Sequence, residues 1–394
     1  MTTADACPGI LDLHEARDGL VARIRLPGGY ASITRLRSLA ALAERFGDGQ
    51  VDLTARGNVQ VRGIQPGTAG SMAGRAATAG FLPSPAHDRA RNITASPLAG
   101  LAGHPALRGP VHSLDRAIRA DPGLAALPGR FLFSLDDGTG RAGLSACDVG
   151  LRLERAGEGG SGEGRGGGWG VGGGGQAELI VAGRRTGLRG PAAQGIRLAI
   201  AAARAFIDQR LENARMARLA DGGAGVAAAA GGALGDAVTD TADRLALGPV
   251  PDSDPLAVIA APLGRLTASQ VRLIAGLLRP GEVARLTAAA RIVLPLAQPA
   301  DAALQRLGGA GLLVSDGHEL SAVTACAGMT CASSLADVRA VAGRVPGLAA
   351  VHWAGCDRRC GLPADATAVV ATSDGRFEFG DRGDSQLMAA ARPA

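Results

Sequence analysis

The chain has 394 residues and a formal net charge of +5, and all 41 of its Lys/Arg positions are arginine. The absence of lysine excludes Schiff-base chemistry, and no basic run marks a nucleic-acid face. No apolar stretch reaches the roughly 18 residues of a membrane span, and Met1-Thr-Thr-Ala-Asp5 lacks the basic and apolar regions of a secretory signal. The expectation is a cytoplasmic protein with no membrane or nucleic-acid partner.

In chain order, Leu20–Leu26 reads as a strand that stops at Pro27-Gly-Gly. A helical pattern then runs to Phe46, and strands follow at Val51–Leu53 and Val59–Gly63. Residues 69 to about 155 hold a helix and polar segments, and 156–175 is a Gly-rich stretch expected to be a flexible insertion. Pro191 opens an Ala-rich helix through about Leu219, and the Gly/Ala segment from 221 reads as a linker. The opening pattern then returns. A strand at Leu256–Ala261 stops at Pro262-Leu-Gly264, and a helix with a Thr267-x-x-Gln270 capping box runs to Leu278. Strands at Val283–Thr287 and Ala290–Pro295 complete the second copy. Each copy reads strand–helix–strand–strand, and pairing of their free edges predicts one continuous sheet with a pseudo-twofold axis. The expected segments are 1–68 and 251–300 for the two copies, 69–220 for an α/β region, 221–250 for the linker and 301–394 for the C-terminal region.

That region carries the chemistry. Cys326 and Cys331, then Cys356 and Cys360, form two close pairs in Gly/Ala-rich surroundings. Four soft thiolates at one point suit an iron–sulfur cluster or zinc. The spacings, with four and three intervening residues, are wider than a zinc knuckle. Ser334-x-x-Asp337 predicts a helix start beside Cys331, and Arg358 and Arg359 add positive charge. Cys7 and Cys147 are isolated and read as structural. Arg56, Arg62, Arg91 and Arg130, taken singly, are solvated charges or ion pairs. Together with Asn58, Gln60 and Asn92 they form a candidate anion site. No Gly-x-Gly-x-x-Gly nucleotide fingerprint lies in a strand–helix context.

The ordered motifs resemble the nitrite/sulfite reductase superfamily. Thr54-Ala-Arg56-Gly-Asn-Val-Gln60-Val-Arg62-Gly63 is similar to its Thr-x-Arg-x-x-x-Gln-x-(Arg/His)-Gly motif. Arg91-Asn92-Ile leading to Pro97-Leu-Ala-Gly100, Leu127-Pro-Gly-Arg130-Phe131 and the paired cysteines match three further segments. Two departures stand out. The first cysteine pair is one residue shorter than the family's, and Leu132 replaces a basic residue. Within the superfamily the chain looks most like the precorrin-3B synthases of aerobic cobalamin biosynthesis, through Ala6-Cys7-Pro8-Gly9, Pro262-Leu-Gly-Arg265-Leu and Val323-Thr-Ala-Cys326-Ala-Gly.

This resemblance implies an α+β fold with duplicated ferredoxin-like half-domains, α/β domains and a C-terminal iron–sulfur site. One 4Fe-4S cluster would sit on Cys326, Cys331, Cys356 and Cys360. Arg56, Asn58, Gln60, Arg62, Arg91, Asn92 and Arg130 would bind the carboxylates of a tetrapyrrole. The implied reaction is O2-dependent hydroxylation and lactone formation on precorrin-3A, with NADH as formal reductant. A mononuclear non-haem iron is also implied, with no ligands or catalytic residue assigned. The electron donor would be a separate reductase or ferredoxin. The alternative is a sirohaem-dependent nitrite or sulfite reductase.

Overall fold

The computed structural model describes residues 7–153, 175–209, 215–241, 244–253, 255–288, 290–344, 350–363, 366–380 and 386–388. The expected Gly-rich insertion falls, except for residue 175, outside them. Two units are present. One comprises Met1–Leu11, Arg25–Tyr30 and Phe81–Asp243, and the other comprises Asp12–Ile24, Ala31–Gly80 and Arg244–Ala394. No helix among the described residues is long and apolar enough to cross a membrane.

In the second of these units, β1 (His14–Ala16) and β2 (Gly19–Ile24) form a hairpin around Arg17-Asp18. The short strand β3 (Tyr30–Ser32) leads into α1 (Ile33–Phe46), then β4 (Gln50–Leu53), β5 (Val59–Ile64) and α2 (Ala69–Thr78). Ser32 caps α1 by accepting the Arg35 N–H. Leu36, Leu39, Ala40, Leu42, Ala43 and Phe46 are its buried stripe. The helix stops at Gly47, where a Cβ would lie 2.6 Å from the Arg62 carbonyl oxygen, so helix and strand meet only because the side chain is missing.

The first-listed unit is built from β6 (Ile93–Ala95), α3 (Arg108–Ala120), β7 (Phe133–Asp136), β8 (Val149–Leu153), β9 (Gln176–Val181), β10 (Arg184–Pro191), α4 (Ala192–Gln209) and α5 (Ala224–Ala229). The sheet runs in the order β6-β7-β8-β9-β10, with the first three strands parallel and the last two antiparallel. Phe131 meets Phe133 of β7 edge-on and Phe206 of α4 at a tilt, with ring centroids 5.0 and 4.9 Å apart. The expected Ala-rich helix starts at Ala192, directly after Pro191, and runs through Gln209, the last described residue of that stretch. The described part of the expected linker contains α5.

The chain then returns to the second unit with β11 (Gly248–Pro249), β12 (Leu256–Ala260), β13 (Arg265–Thr267), α6 (Ala268–Leu277), β14 (Val283–Leu286), β15 (Arg291–Pro295) and α7 (Ala300–Gly309). The predicted capping box is formed by Thr267 and Gln270. The copies match down to their turns. Thr54 N–H donates to the Asn58 carbonyl (2.9 Å), and Asn58 N–H to Thr54 Oγ1 (3.1 Å). Thr287 and Arg291 repeat the pair at 2.9 and 3.2 Å.

The copies do not form one continuous sheet, as the edge argument predicted. They build two five-stranded sheets, β1-β2-β5-β4-β13 and β11-β12-β15-β14-β3. Each copy donates its short strand to the edge of the other copy's sheet, so the free edges are satisfied by exchange. Leu36, Leu39 and Val51 meet Val271, Ile274 and Ile292 in the apolar core between them. Arg265 on the donated β13 forms a two-pronged ion pair with Asp52 on β4, with Nη2–Oδ2 at 2.9 Å.

Beyond the copies lie β16 (Val323–Ala325), α8 (Val338–Ala342), β17 (Val351–Ala354), β18 (Thr367–Ala371), β19 (Phe377–Phe379) and β20 (Gln386–Met388). Strands β16, β17 and β18 are parallel, β19 is antiparallel to β18, and β20 is antiparallel to β19. This is the order and direction of β6 to β10.

Candidate metal centre

All four paired cysteines follow the C-terminal ends of β16 and β17. Cys326 comes directly after β16, and its N–H donates to the Trp353 carbonyl at 2.9 Å. Cys356 comes two residues after the end of β17. The two cysteine loops touch. Gly355 N–H points at Cys326 Sγ (3.2 Å), as does Gly328 N–H (3.4 Å), and Leu335 N–H donates to the Gly355 carbonyl (2.7 Å). The approach depends on glycine, because a Cβ on Gly355 would lie 1.9 Å from Ser334 Oγ. Two N–H groups thus converge on one sulfur.

Backbone anchors fix the rest. Arg339 Nε donates to the Cys326 carbonyl at 2.9 Å. His352, fully buried on β17, bridges Thr324 Oγ1 (Nδ1, 2.9 Å) and the Cys360 carbonyl (Nε2, 3.1 Å). A carbonyl only accepts, so Nε2 carries the proton and Nδ1 accepts from the threonine hydroxyl. Burial pushes the His352 pKa down to about 4, against the opposing pull of the Cys360 carbonyl. The helix expected from Ser334 starts later. Asp337 caps α8, a five-residue helix, while the Ser334 hydroxyl donates to the Ala336 carbonyl.

Cys326, Cys331 and Cys356 are part-buried and Cys360 is exposed. Among the described residues, no three His, Cys, Asp or Glu side chains are gathered into a metal-holding set. The donor chemistry nevertheless fits a cluster: four cysteine thiols, none in a disulfide, on two abutting loops, with N–H groups already turned toward one sulfur. Cys7 and Cys147 are buried elsewhere. Cys7 Sγ donates to the Gly129 carbonyl (3.0 Å), and burial drives the Cys147 thiol above its usual range.

The predicted anion-binding residues fall in both units. Arg56, Asn58, Gln60 and Arg62 belong to the β4–β5 hairpin, with Arg56 and Gln60 part-exposed and Asn58 and Arg62 buried. Arg62 is paired with Asp18 (Nε–Oδ2 2.9 Å, Nη2–Oδ1 3.0 Å) and also donates to the Thr330 carbonyl at 3.1 Å. In the other unit Arg91 is buried against Asp115 (2.6 Å) and the Phe81 carbonyl, and Arg130 is exposed. Asn92 is buried and donates to the Gly129 and Arg89 carbonyls.

Sequence reasoning passed over Arg25, which is 1% exposed. It donates to Asn92 Oδ1, the Pro8 and Gly129 carbonyls and Cys7 Sγ. An arginine inside the apolar run Val-Ala-Arg-Ile-Arg25-Leu was the available signal. His352 and Arg339 were missed as well. The one clue was a histidine and an arginine within short apolar segments flanking the cysteines.

Residues 14–77 match the family model for the nitrite/sulfite reductase ferredoxin-like half domain. The chain carries that half domain. Over 59 residues it is 41% identical to a precorrin-3B synthase from a Sinorhizobium species, covering 15% of this chain and 13% of that one. It is 34% identical over 117 residues to a ferredoxin–nitrite reductase of Leptolyngbya laminosa, covering 28% and 23%. A ferredoxin–nitrite reductase of Synechococcus elongatus is 36% identical over 83 residues. The matched stretches thus span less than a quarter of each curated relative. The solved structure of the Mycobacterium tuberculosis NirA protein superposes with a TM-score of 0.71 at 18% identity, over 94% of this chain and 77% of that one. That likeness is one of fold. The half domain and the matched relatives place the resemblance within the nitrite/sulfite reductase superfamily, with a precorrin-3B synthase among the similar proteins.

Proposed function

We propose that this chain is an iron–sulfur oxidoreductase of the precorrin-3B synthase type, hydroxylating precorrin-3A with O2 and closing a lactone on it in cobalamin biosynthesis. The observation that carries the reading is the abutment of the two cysteine loops across Gly355. Cys326, Cys331, Cys356 and Cys360 would hold one 4Fe-4S cluster, which when bound supplies electrons one at a time. The chain's own groups prepare that site. Gly328 and Gly355 turn their N–H groups to the Cys326 sulfur, Arg339 holds the Cys326 carbonyl, and His352 fixes the Cys360 carbonyl. NADH is the formal reductant, delivered through a separate reductase or ferredoxin.

Precorrin-3A is fringed with carboxylates, and guanidinium forks suit them. Arg56 and Arg130 are the proposed direct contacts, with Gln60 of the hairpin that carries Arg56. Arg91 and Asn92, committed to Asp115 and the Gly129 carbonyl, and Asn58 support the segments that carry them.

A second reading is a sirohaem-dependent nitrite or sulfite reductase, favoured by the two ferredoxin–nitrite reductases among the matched relatives. Anaerobic purification followed by iron, sulfide and zinc analysis separates the readings. The synthase should be brown, carry iron and sulfide without sirohaem bands, and consume precorrin-3A only with O2. Bound sirohaem with rapid reduction of nitrite or sulfite would replace it with the reductase. Stoichiometric zinc without sulfide would refute both.

A further inference from the structure

We propose that the β1–β2 turn and β5 of the first half domain grip the loop carrying Cys331 through Arg17, Asp18 and Arg62, and that this grip sets the reduction potential of the centre. The inference rests on the reading that the four cysteines hold an iron–sulfur cluster.

The contacts bracket Cys331 on both sides. The Thr330 carbonyl accepts two hydrogen bonds, from Arg17 N–H (3.0 Å) and Arg62 Nη2 (3.1 Å). The Ala332 carbonyl accepts from Arg17 Nη2 at 3.1 Å, and Arg17 Nη1 approaches Met329 Sδ at 3.8 Å. Arg17 and Ala332 are 315 residues apart, so the grip is tertiary. Asp18 aligns Arg62 by a two-pronged pair in which both side chains are largely buried, at 6% and 19% exposure. The hairpin reaches this position because Gly19, at φ +119°, packs on β5, where a Cβ would lie 3.0 Å from the Ile64 carbonyl oxygen.

The arrangement belongs to one copy only. β11 occupies the position of β1 in the other sheet, but no two-residue turn joins it to β12. Counted from the matching threonines Thr54 and Thr287, the equivalent of Arg62 is Pro295, which has no side-chain donor.

Electrostatics gives the consequence. The reduced cluster carries one more negative charge than the oxidised one, so a nearby guanidinium favours reduction and a nearby carboxylate opposes it. A unit charge within roughly 12 Å at an effective dielectric near 20 changes the oxidised-to-reduced ratio about tenfold, or about 59 mV for one electron. Arg17 and Arg62 should raise the potential and Asp18 should lower it.

The test is a dithionite titration, followed by electron paramagnetic resonance, of the full chain and of the Arg17→Gln, Arg62→Gln and Asp18→Asn variants. Iron and sulfide are counted in each. Arg17→Gln and Arg62→Gln should shift the midpoint down and Asp18→Asn should shift it up, all with unchanged iron and sulfide. A brace with only a mechanical role would loosen the loop in every variant, so shifts of one sign, or iron loss in all three, overturn the proposal. Unchanged midpoints overturn it too. Arg17 is exposed, so its variant reports even if the buried pair proves essential for folding. If the unaltered protein holds no iron and sulfide, the cluster reading fails first and takes this inference with it.

Discussion

Gly355→Ala tests whether contact between the two cysteine loops organises the site. The backbone at Gly355 is not in the left-handed region, so alanine is conformationally allowed and the effect is purely one of space. The new methyl would meet Ser334 Oγ at 1.9 Å, its Cβ at 2.9 Å and its Cα at 3.3 Å. Ser334 is 4% exposed, and its hydroxyl is donating to the Ala336 carbonyl at 2.9 Å. Rotating the hydroxyl away forfeits that bond, about 1 kcal/mol, and overpacking adds about 1–3 kcal/mol. The expected cost is about 2–4 kcal/mol, concentrated where Gly355 N–H meets Cys326 Sγ and Leu335 N–H meets the Gly355 carbonyl. Urea unfolding measures the loss, and iron content after anaerobic reconstitution should fall with it. Ser334→Gly removes all three nearest atoms except the backbone Cα, so the double variant should recover most of both. A Gly355→Ala protein with unaltered stability and iron content would refute the loop-contact argument, as would a defect that Ser334→Gly leaves untouched.

Three other outcomes are expected. Cys360→Ser should weaken or abolish iron–sulfide absorbance, whereas Cys147→Ser should leave it intact, because that thiol is fully buried in the other unit and held protonated. His352 has a folded pKa lowered from 6.5 to about 4, so its contribution to stability is full above pH 6.5 and is lost as pH falls toward 4. The loss should reach about 3 kcal/mol, and urea midpoints of cofactor-free protein at pH 7 and 4.5 should differ less in His352→Gln than in the parent. Arg265→Ala should cost about 3 kcal/mol by leaving the buried Asp52 carboxylate with only the longer Arg339 contact at 3.8 Å, and restoring that loss with Asp52→Asn in the same chain would confirm that the pair stabilises the exchanged strand.

The half-domain repeat was legible because each copy marks its strands and helix with periodicity and punctuates them with Pro27 or Pro262. The exchange was not. It is carried by Tyr30–Ser32 and Arg265–Thr267, three residues each, too short to show a period. The cysteine pairs were legible from spacing alone, but their anchors were not. Asp18 lies 44 residues from Arg62 and Asp115 lies 24 from Arg91, so no local pattern could show that these guanidiniums already have internal partners. The displaced start of α8 has a simple cause. Ser334 resembled a cap, but its hydroxyl donates to the Ala336 carbonyl, and Asp337 caps instead.

A second repeat was hidden still further, and it accounts for where Cys326 sits. The strand β6 and the residue after it read Ile93-Thr94-Ala95-Ser96, and β16 and the residue after it read Val323-Thr324-Ala325-Cys326. In each, the central threonine bonds a side chain on the next parallel strand: Thr94 Oγ1 to Ser134 Oγ at 2.7 Å, Thr324 Oγ1 to His352 Nδ1 at 2.9 Å. Two residues after the threonine, the residue just past the strand donates its N–H across to the neighbouring strand, Ser96 to Leu135 at 3.1 Å and Cys326 to Trp353 at 2.9 Å. It also receives an N–H on its side chain: Asp137 N–H to Ser96 Oγ at 3.1 Å, Gly355 N–H to Cys326 Sγ at 3.2 Å. One backbone frame therefore occurs twice. In one copy it presents a hydroxyl next to Asp136, a carboxylate filled by Ser96 and the N–H groups of Gly138, Gly140 and Ala142. In the other it presents a thiol, with Ala354 and Gly355 where Asp136 and Asp137 stand, so no carboxylate occupies those two positions beside the sulfur. The N–H donor that steadies a serine in the first copy is thus already in place to steady a thiolate in the second. The chemistry proposed for Cys326 needs a changed side chain and a glycine at 355 on an existing frame, with no new backbone geometry.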